Sequence, residues 1–293
     1  MKTNIKNTLG KASFIFAFSS FLFISCDKQE VESFDSQKDT PITIASAGVA
    51  ELTTRVITEE GHLIGAVDEN ASMSVFVTGG SNAKYNADNV KWVHDGECWR
   101  ANSQTLFEGT NSKQKICALS PYREDATLED GVTITADGVT DYLVASQTSI
   151  TSNPVNICMS HALAKLVLNP TLGTEVTGDN IATVEVQNMY TQGTLNVEVN
   201  NWTNCTGTTA FTMTNNEVLV VPMEGCESFP IVITMESGRA FSANISLANV
   251  DNKLEGGTQY TIKLQIGHDT VTIGDISAAS WGTPVDGGNL ETE

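Results

Sequence analysis

From residue 154 onward the chain breaks into short apolar runs at near-regular spacing, each closed by Gly, Asn or Asp. The runs cover residues 182–187, 193–199, 217–222, 230–235, 239–247, 258–266 and 270–276. Within one of them, Tyr260, Ile262, Leu264 and Ile266 alternate strictly with polar neighbours, the period-two signature of a strand with one buried face. No stretch keeps a helical period for more than about two turns. Many short strands with turn punctuation and no crossover helices define an all-β chain built of sandwiches.

The first half shows the same pattern. Pro41-Ile42-Thr43-Ile44-Ala45 alternates, with Ile42 and Ile44 expected inward, and Glu51 to Val56 continues that strand. Met73 to Val77 reads as a buried strand ended by Gly79-Gly80, and Lys115 to Leu119 as one that stops before Pro121. Asp95-Gly96 lies between two apolar-aromatic runs and predicts a two-residue hairpin, which would set His94 opposite Glu97, Val93 opposite Cys98 and Trp92 opposite Trp99. An opposed tryptophan pair is either a sugar-stacking platform or a hydrophobic clamp, and the hairpin context favours the clamp. Asp141 to Ala145 forms another short strand, and the polar run to Asn153-Pro154 marks a boundary. Residues 41–153 and 154–293 are therefore expected as two consecutive β-sandwiches, the second opening with residues 155–159 and the run from His161.

The N-terminus has a different composition. Lys2, Lys6 and Lys11 precede an almost wholly apolar run, Phe14 to Ile24, followed by Ser25 and Cys26. This is an export signal, too short for a permanent membrane span. Leu22-Phe23-Ile24-Ser25-Cys26 resembles a lipobox, which makes Cys26 the expected lipidation site and residues 1–26 the lipoprotein signal. Residues 27–40 are polar and acidic without periodicity, as a tether would be. Removing the leader leaves 13 basic against 35 acidic residues, a net charge of −22. Such a chain repels nucleic acid and anionic lipid, so neither is an expected partner.

Catalytic signatures are missing. There is no nucleophile elbow, phosphate-binding glycine loop or His-Glu-x-x-His. His62, His94, His161 and His268 are far apart, and His161 sits in an apolar run that suits a hydrogen-bonded core or junction residue. Cys98, Cys117, Cys158, Cys205 and Cys226 are widely spaced and odd in number, so most are expected as buried thiols, with a Cys205–Cys226 pair left open. No enzyme, cofactor or metal is expected.

Taken together, the lipobox, Thr54-Arg55-Val56, the Asp95-Gly96 hairpin with Trp99, Pro121-Tyr122 and Asp141 to Ala145 resemble the fimbrillin family of gut and oral anaerobes. The His161 to Leu168 run and the strands from Tyr260 to Trp281 extend the likeness over nearly the whole chain. The resemblance implies two consecutive transthyretin-like, Greek-key sandwiches and a fimbrial (pilus) subunit or adhesin of the outer membrane surface. It also implies assembly by strand exchange. A protease removes the lipidated leader with the first strand, here cut at Arg55 and carrying Ile42 and Ile44. A C-terminal strand of the next subunit then fills the opened groove, and the segment from Val271 through Ile273 and Ile276 to Trp281 is the corresponding donor. An inserted strand burying four or five apolar side chains gains on the order of 10 kcal/mol gross. Expected partners are other fimbrial subunits, host or bacterial surface ligands, and the outer membrane through the lipid. The alternative is a non-catalytic, glycan-binding surface lipoprotein using Trp92, Trp99 or Trp202.

Overall fold

The computed structural model describes residues 35–49 and 71–281, and Asp35–Glu293 group as one compact unit. Cys26, Arg55, the continuation expected over residues 51–56 and the tail beyond Trp281 lie outside the described residues. The regular structure of the described chain is all strand apart from two single-turn 3-10 helices at Ala83–Tyr85 and Ala248–Val250.

Seven strands make the first sheet. They are β1 (Ile44–Val49), β2 (Ser72–Thr78), β3 (Ala87–His94), β4 (Trp99–Ala101), β5 (Lys115–Ser120), β7 (Leu143–Ser149) and β8 (Val155–His161), in the order β1-β8-β7-β5-β2-β3-β4. β10 (Ile181–Asn196), β11 (Asn201–Thr212), β13 (Ser228–Met235) and β14 (Ala240–Ser246) form a second sheet, ordered β11-β10-β13-β14, with β6 (Val132–Thr135) added on β10. The third sheet is β12-β9-β15-β16, from Glu217–Val220, Ala164–Leu172, Thr258–Ile266 and Val271–Ser280.

The first sheet buries both faces at its centre, which explains the unbroken apolar run in β2. Val75 and Val77, with Ile116 and Ala118 of β5, face a core that also holds Trp92, Trp99, Phe107 and Ile157. Phe76, Cys117, Leu119 and Val144 point the other way, into a cluster shared with Leu195, Val197, Leu219 and Val221 from the second half of the chain. A third core lies between the second and third sheets, around Leu166, Val186, Ile231, Ile233, Tyr260 and Ile262. Gly79 closes β2 with φ +76°, and a Cβ there would meet the Lys113 carbonyl oxygen at 2.2 Å, so the turn requires glycine.

Several expectations change. Residues 155–161, expected to open the second sandwich, form a strand of the first sheet, paired to β7 and parallel to β1. The runs at 182–187 and 193–199 are one 16-residue strand, β10, which keeps its pairing with β11 through register shifts beside Val186 and Gln192. The hairpin after His94 slips by two residues: His94 faces Trp99, Val93 faces Arg100 and Trp92 faces Ala101. The Asp95 carboxylate accepts the Glu97 and Cys98 N–H groups at 3.1 and 2.8 Å and is paired with the Arg100 guanidinium, which opens the turn to four residues. A two-residue slip preserves the side-chain face, so both tryptophans stay inside, at 6 and 8% exposure, while Trp99 meets His94 edge-on.

Candidate functional site

The segment carrying Ile42 and Ile44 occupies a seat in the first sheet. Both side chains are 5% exposed and, with Ala47, belong to the core formed by Met73, Val75, Trp92, Phe107 and Ile157. On one side β1 runs parallel to residues 155–159, with an irregular step between Ile44 and Ser46. On the other, an antiparallel stretch bonds to residues 105–107. Asp39 N–H donates to the Phe107 carbonyl, Phe107 N–H to that of Thr40, and Ile42 N–H to that of Thr105, each at 2.8 Å. The segment therefore changes partner along its length, from residues 105–107 over 39–42 to β8 over 44–49, and the expected tether is seated from Asp35 onward.

One buried amide organises this seat. Asn153 Oδ1 accepts Thr43 N–H at 2.9 Å and the Thr43 hydroxyl at 3.1 Å. Its Nδ2 donates to the Pro41 carbonyl at 2.8 Å and the Thr40 hydroxyl at 3.0 Å. The Asn153 carbonyl also accepts from Gln37 Nε2 at 2.5 Å, and Val155 N–H reaches the Thr43 carbonyl at 2.8 Å. Every polar atom of that side chain is committed to the first strand, as a buried amide requires. The pattern around Asn153-Pro154 reads only as a turn, so Asn153 was not a sequence candidate.

Charge fixes the entry. Asp39 Oδ1 accepts from Lys84 Nζ at 2.7 Å and from the Tyr85 hydroxyl at 2.6 Å. These two bonds hold the Asp39 carboxyl below its usual range, and the Lys84 ammonium is pushed up to about 12 by the same contact. Asp35 is lowered as well, chiefly by the Thr110 N–H and then by that of Gln37.

The expected donor segment is a strand of its own chain. β16 pairs antiparallel with β15, setting Val271 opposite Ile266, Ile273 opposite Leu264 and Ile276 opposite Ile262 across a bulge. Ile276 is buried, whereas Val271 and Ile273 pack half-buried against the same core. Trp281 ends the segment. Its N–H donates to the Gly257 carbonyl at 2.8 Å, and its ring stacks on His161 at 3.7 Å and 13°. His161 Nδ1 lies 2.7 Å from Asp141 Oδ2, the junction role expected for that histidine.

The five cysteines are unpaired, and only Cys117 is buried, where desolvation pushes its thiol up to about 12 and leaves it inert. Cys158 is exposed and the other three are half-buried, against the expectation that most would be buried. Among the described residues, no three His, Cys, Asp or Glu side chains gather as a metal site.

The fold and the seat together define an all-β protein whose first sheet is completed by its own N-terminal strand. The chain belongs to the fimbrillin-like family, whose model matches residues 54–281. Among solved structures it is similar to a candidate cell adhesion protein from Bacteroides uniformis, at 18% identity and TM-score 0.63, covering 82% of this chain and 99% of that one. A second such protein, from Bacteroides ovatus, matches at 16% identity and TM-score 0.61, covering 84% and 99%. The C-terminally truncated tip fimbrial protein Mfa3 of Porphyromonas gingivalis matches at 12% identity and TM-score 0.51, covering 83% and 100%. No curated protein matches by sequence.

Proposed function

We propose that this chain is a fimbrial subunit or adhesin, exported as a lipoprotein on Cys26, whose first strand fills the first sheet until a strand of another subunit replaces it. The observation that carries this reading is the burial of Ile42 and Ile44 in a core, on a segment that leads directly to Arg55. Cutting at Arg55 would separate the strand and the lipidated leader from the rest of the chain together. The two isoleucines contribute about 1.5–3 kcal/mol each, against on the order of 10 kcal/mol gross for a strand with four or five apolar side chains. Exchange is favoured by the apolar area the incoming strand buries beyond what β16 gives up on leaving β15. Family membership and the fimbrial and adhesion neighbours favour structural partners, namely other subunits and surface ligands, over catalysis. In this account the division into two sandwiches is kept, with the first extended through β8.

Serving as donor requires the segment from Val271 to Trp281 to leave β15. The test is limited digestion of the full precursor with a trypsin-like protease. Cleavage near Arg55 should produce SDS-stable ladders, and Ile273→Asp, at a half-buried donor position, should return them to single subunits. A trimmed protein that stays monomeric overturns the reading. The glycan-binding alternative loses two of its three tryptophans, since Trp92 and Trp99 are core residues.

A further inference from the structure

Trp202 stands apart from the other tryptophans. It lies near the start of β11, opposite Leu195, and next to it the β10–β11 register shifts between Gln192 and Thr194. The shift brings the indole over Gly193, where a Cβ would come within 2.9 Å of Trp202 Cε3 and 3.0 Å of Cys205 Sγ. The indole N–H donates to the Ala162 carbonyl at 2.9 Å. Glycine below and a hydrogen bond at one edge hold the ring in a single orientation.

This ring lines an open cleft of about 480 Å³ together with Tyr190, Asn201, Asn204, Glu224 and Glu255. That volume is within the range of small-molecule sites, about 300–1,000 Å³. The side chains of Asn201, Asn204 and Glu224 are exposed and make no hydrogen bond or ion pair among the described residues, so they are open to a ligand. Glu255 pairs with Lys253 at 2.8 Å, and that lysine does not line the cleft. No cation lines it, so phosphate, sulfate and carboxylate groups are disfavoured.

We infer that this cleft binds an uncharged carbohydrate. A pyranose offers a C–H face to an indole and paired hydroxyls to amides and carboxylates, which are the groups present here. Neither cleavage nor strand exchange enters the argument, so the inference stands independently of the function proposed above.

The test is affinity electrophoresis of the uncleaved full chain through gels containing a mannan, an arabinoxylan or a mixed-linkage β-glucan, with heparin as the anionic comparison. Retardation by at least one neutral polymer and none by heparin is expected. Asn204→Ala combined with Glu224→Ala, both at exposed positions, should weaken the retardation about tenfold through the loss of two hydrogen-bonding groups. Trp202→Ala should abolish it. Should that variant fail to fold, the exposed double variant still decides. Free migration in all three neutral polymers, or unchanged retardation of the double variant, overturns the proposal.

Discussion

The first and last described strands are held in opposite ways. β1 has six residues, one ladder partner in parallel register and an irregular step near its start, yet its segment places Ile42, Ile44 and Ala47 inside a core. β16 has ten residues laddered antiparallel along β15, with Ile276 as its buried side chain. The β1 segment thus combines short runs of backbone bonds with buried side chains and the Asn153 amide, whereas β16 has a longer ladder with a smaller share of its side chains buried. Burial can be supplied by any strand with apolar residues at the right spacing, whereas a continuous ladder is lost only when the whole strand leaves. Under the proposed exchange, the contrast favours the first strand as the one replaced.

Substitutions can break that contrast. Ile44→Ala should cost about 3 kcal/mol, since a buried isoleucine leaves a cavity. The half-buried Ile273→Ala should cost about 1 kcal/mol. Denaturant midpoints compare the two, and equal losses would remove the distinction. Asn153→Ala should cost about 2 kcal/mol by stranding Thr43 N–H and the Pro41 carbonyl. Its effect should appear in hydrogen exchange of residues 39–44 and leave β16 unchanged. Trp281→Ala, which removes the stack on His161, should cost about 1 kcal/mol and speed exchange at the end of β16 alone.

The smallest effect is a pH dependence of the seat. Asp35 and Asp39 are lowered from an ordinary value of 3.8, so their contribution is complete above that pH and fades as pH falls through the lower folded values. Exchange of the Ile42 and Phe107 amides, corrected for intrinsic rates, should be less protected at pH 3 than at pH 6. Asp39→Asn should flatten that difference.

Much of this architecture was legible. The alternation at Ile42 and Ile44 and over residues 260–266 reports strands with a buried face, and those side chains are buried. β11 escaped because it is exposed on nearly its whole length, and a Thr- and Asn-rich edge strand has no apolar phase to detect. The Asp95 hairpin was placed correctly but with its register two residues off, because a side chain accepting two backbone N–H groups lengthened the turn. Asn153 was invisible for a different reason: its partners lie 110 to 113 residues away, and no local pattern encodes a bond across that distance.

The central claim is that β1 must leave its seat before subunits join. Gly48 stands opposite Cys158 in the β1–β8 register, with open space where a Cβ would be, and Cys158 is exposed and unpaired. Neighbouring strands are about 4.8 Å apart, within disulfide reach. Gly48→Cys should therefore lock β1 to β8 when oxidised. After cleavage at Arg55, the oxidised variant should remain as single subunits on SDS gels, and the same sample should form ladders once the bond is reduced. Ladders of the oxidised protein, with the disulfide confirmed by mass, would contradict the account.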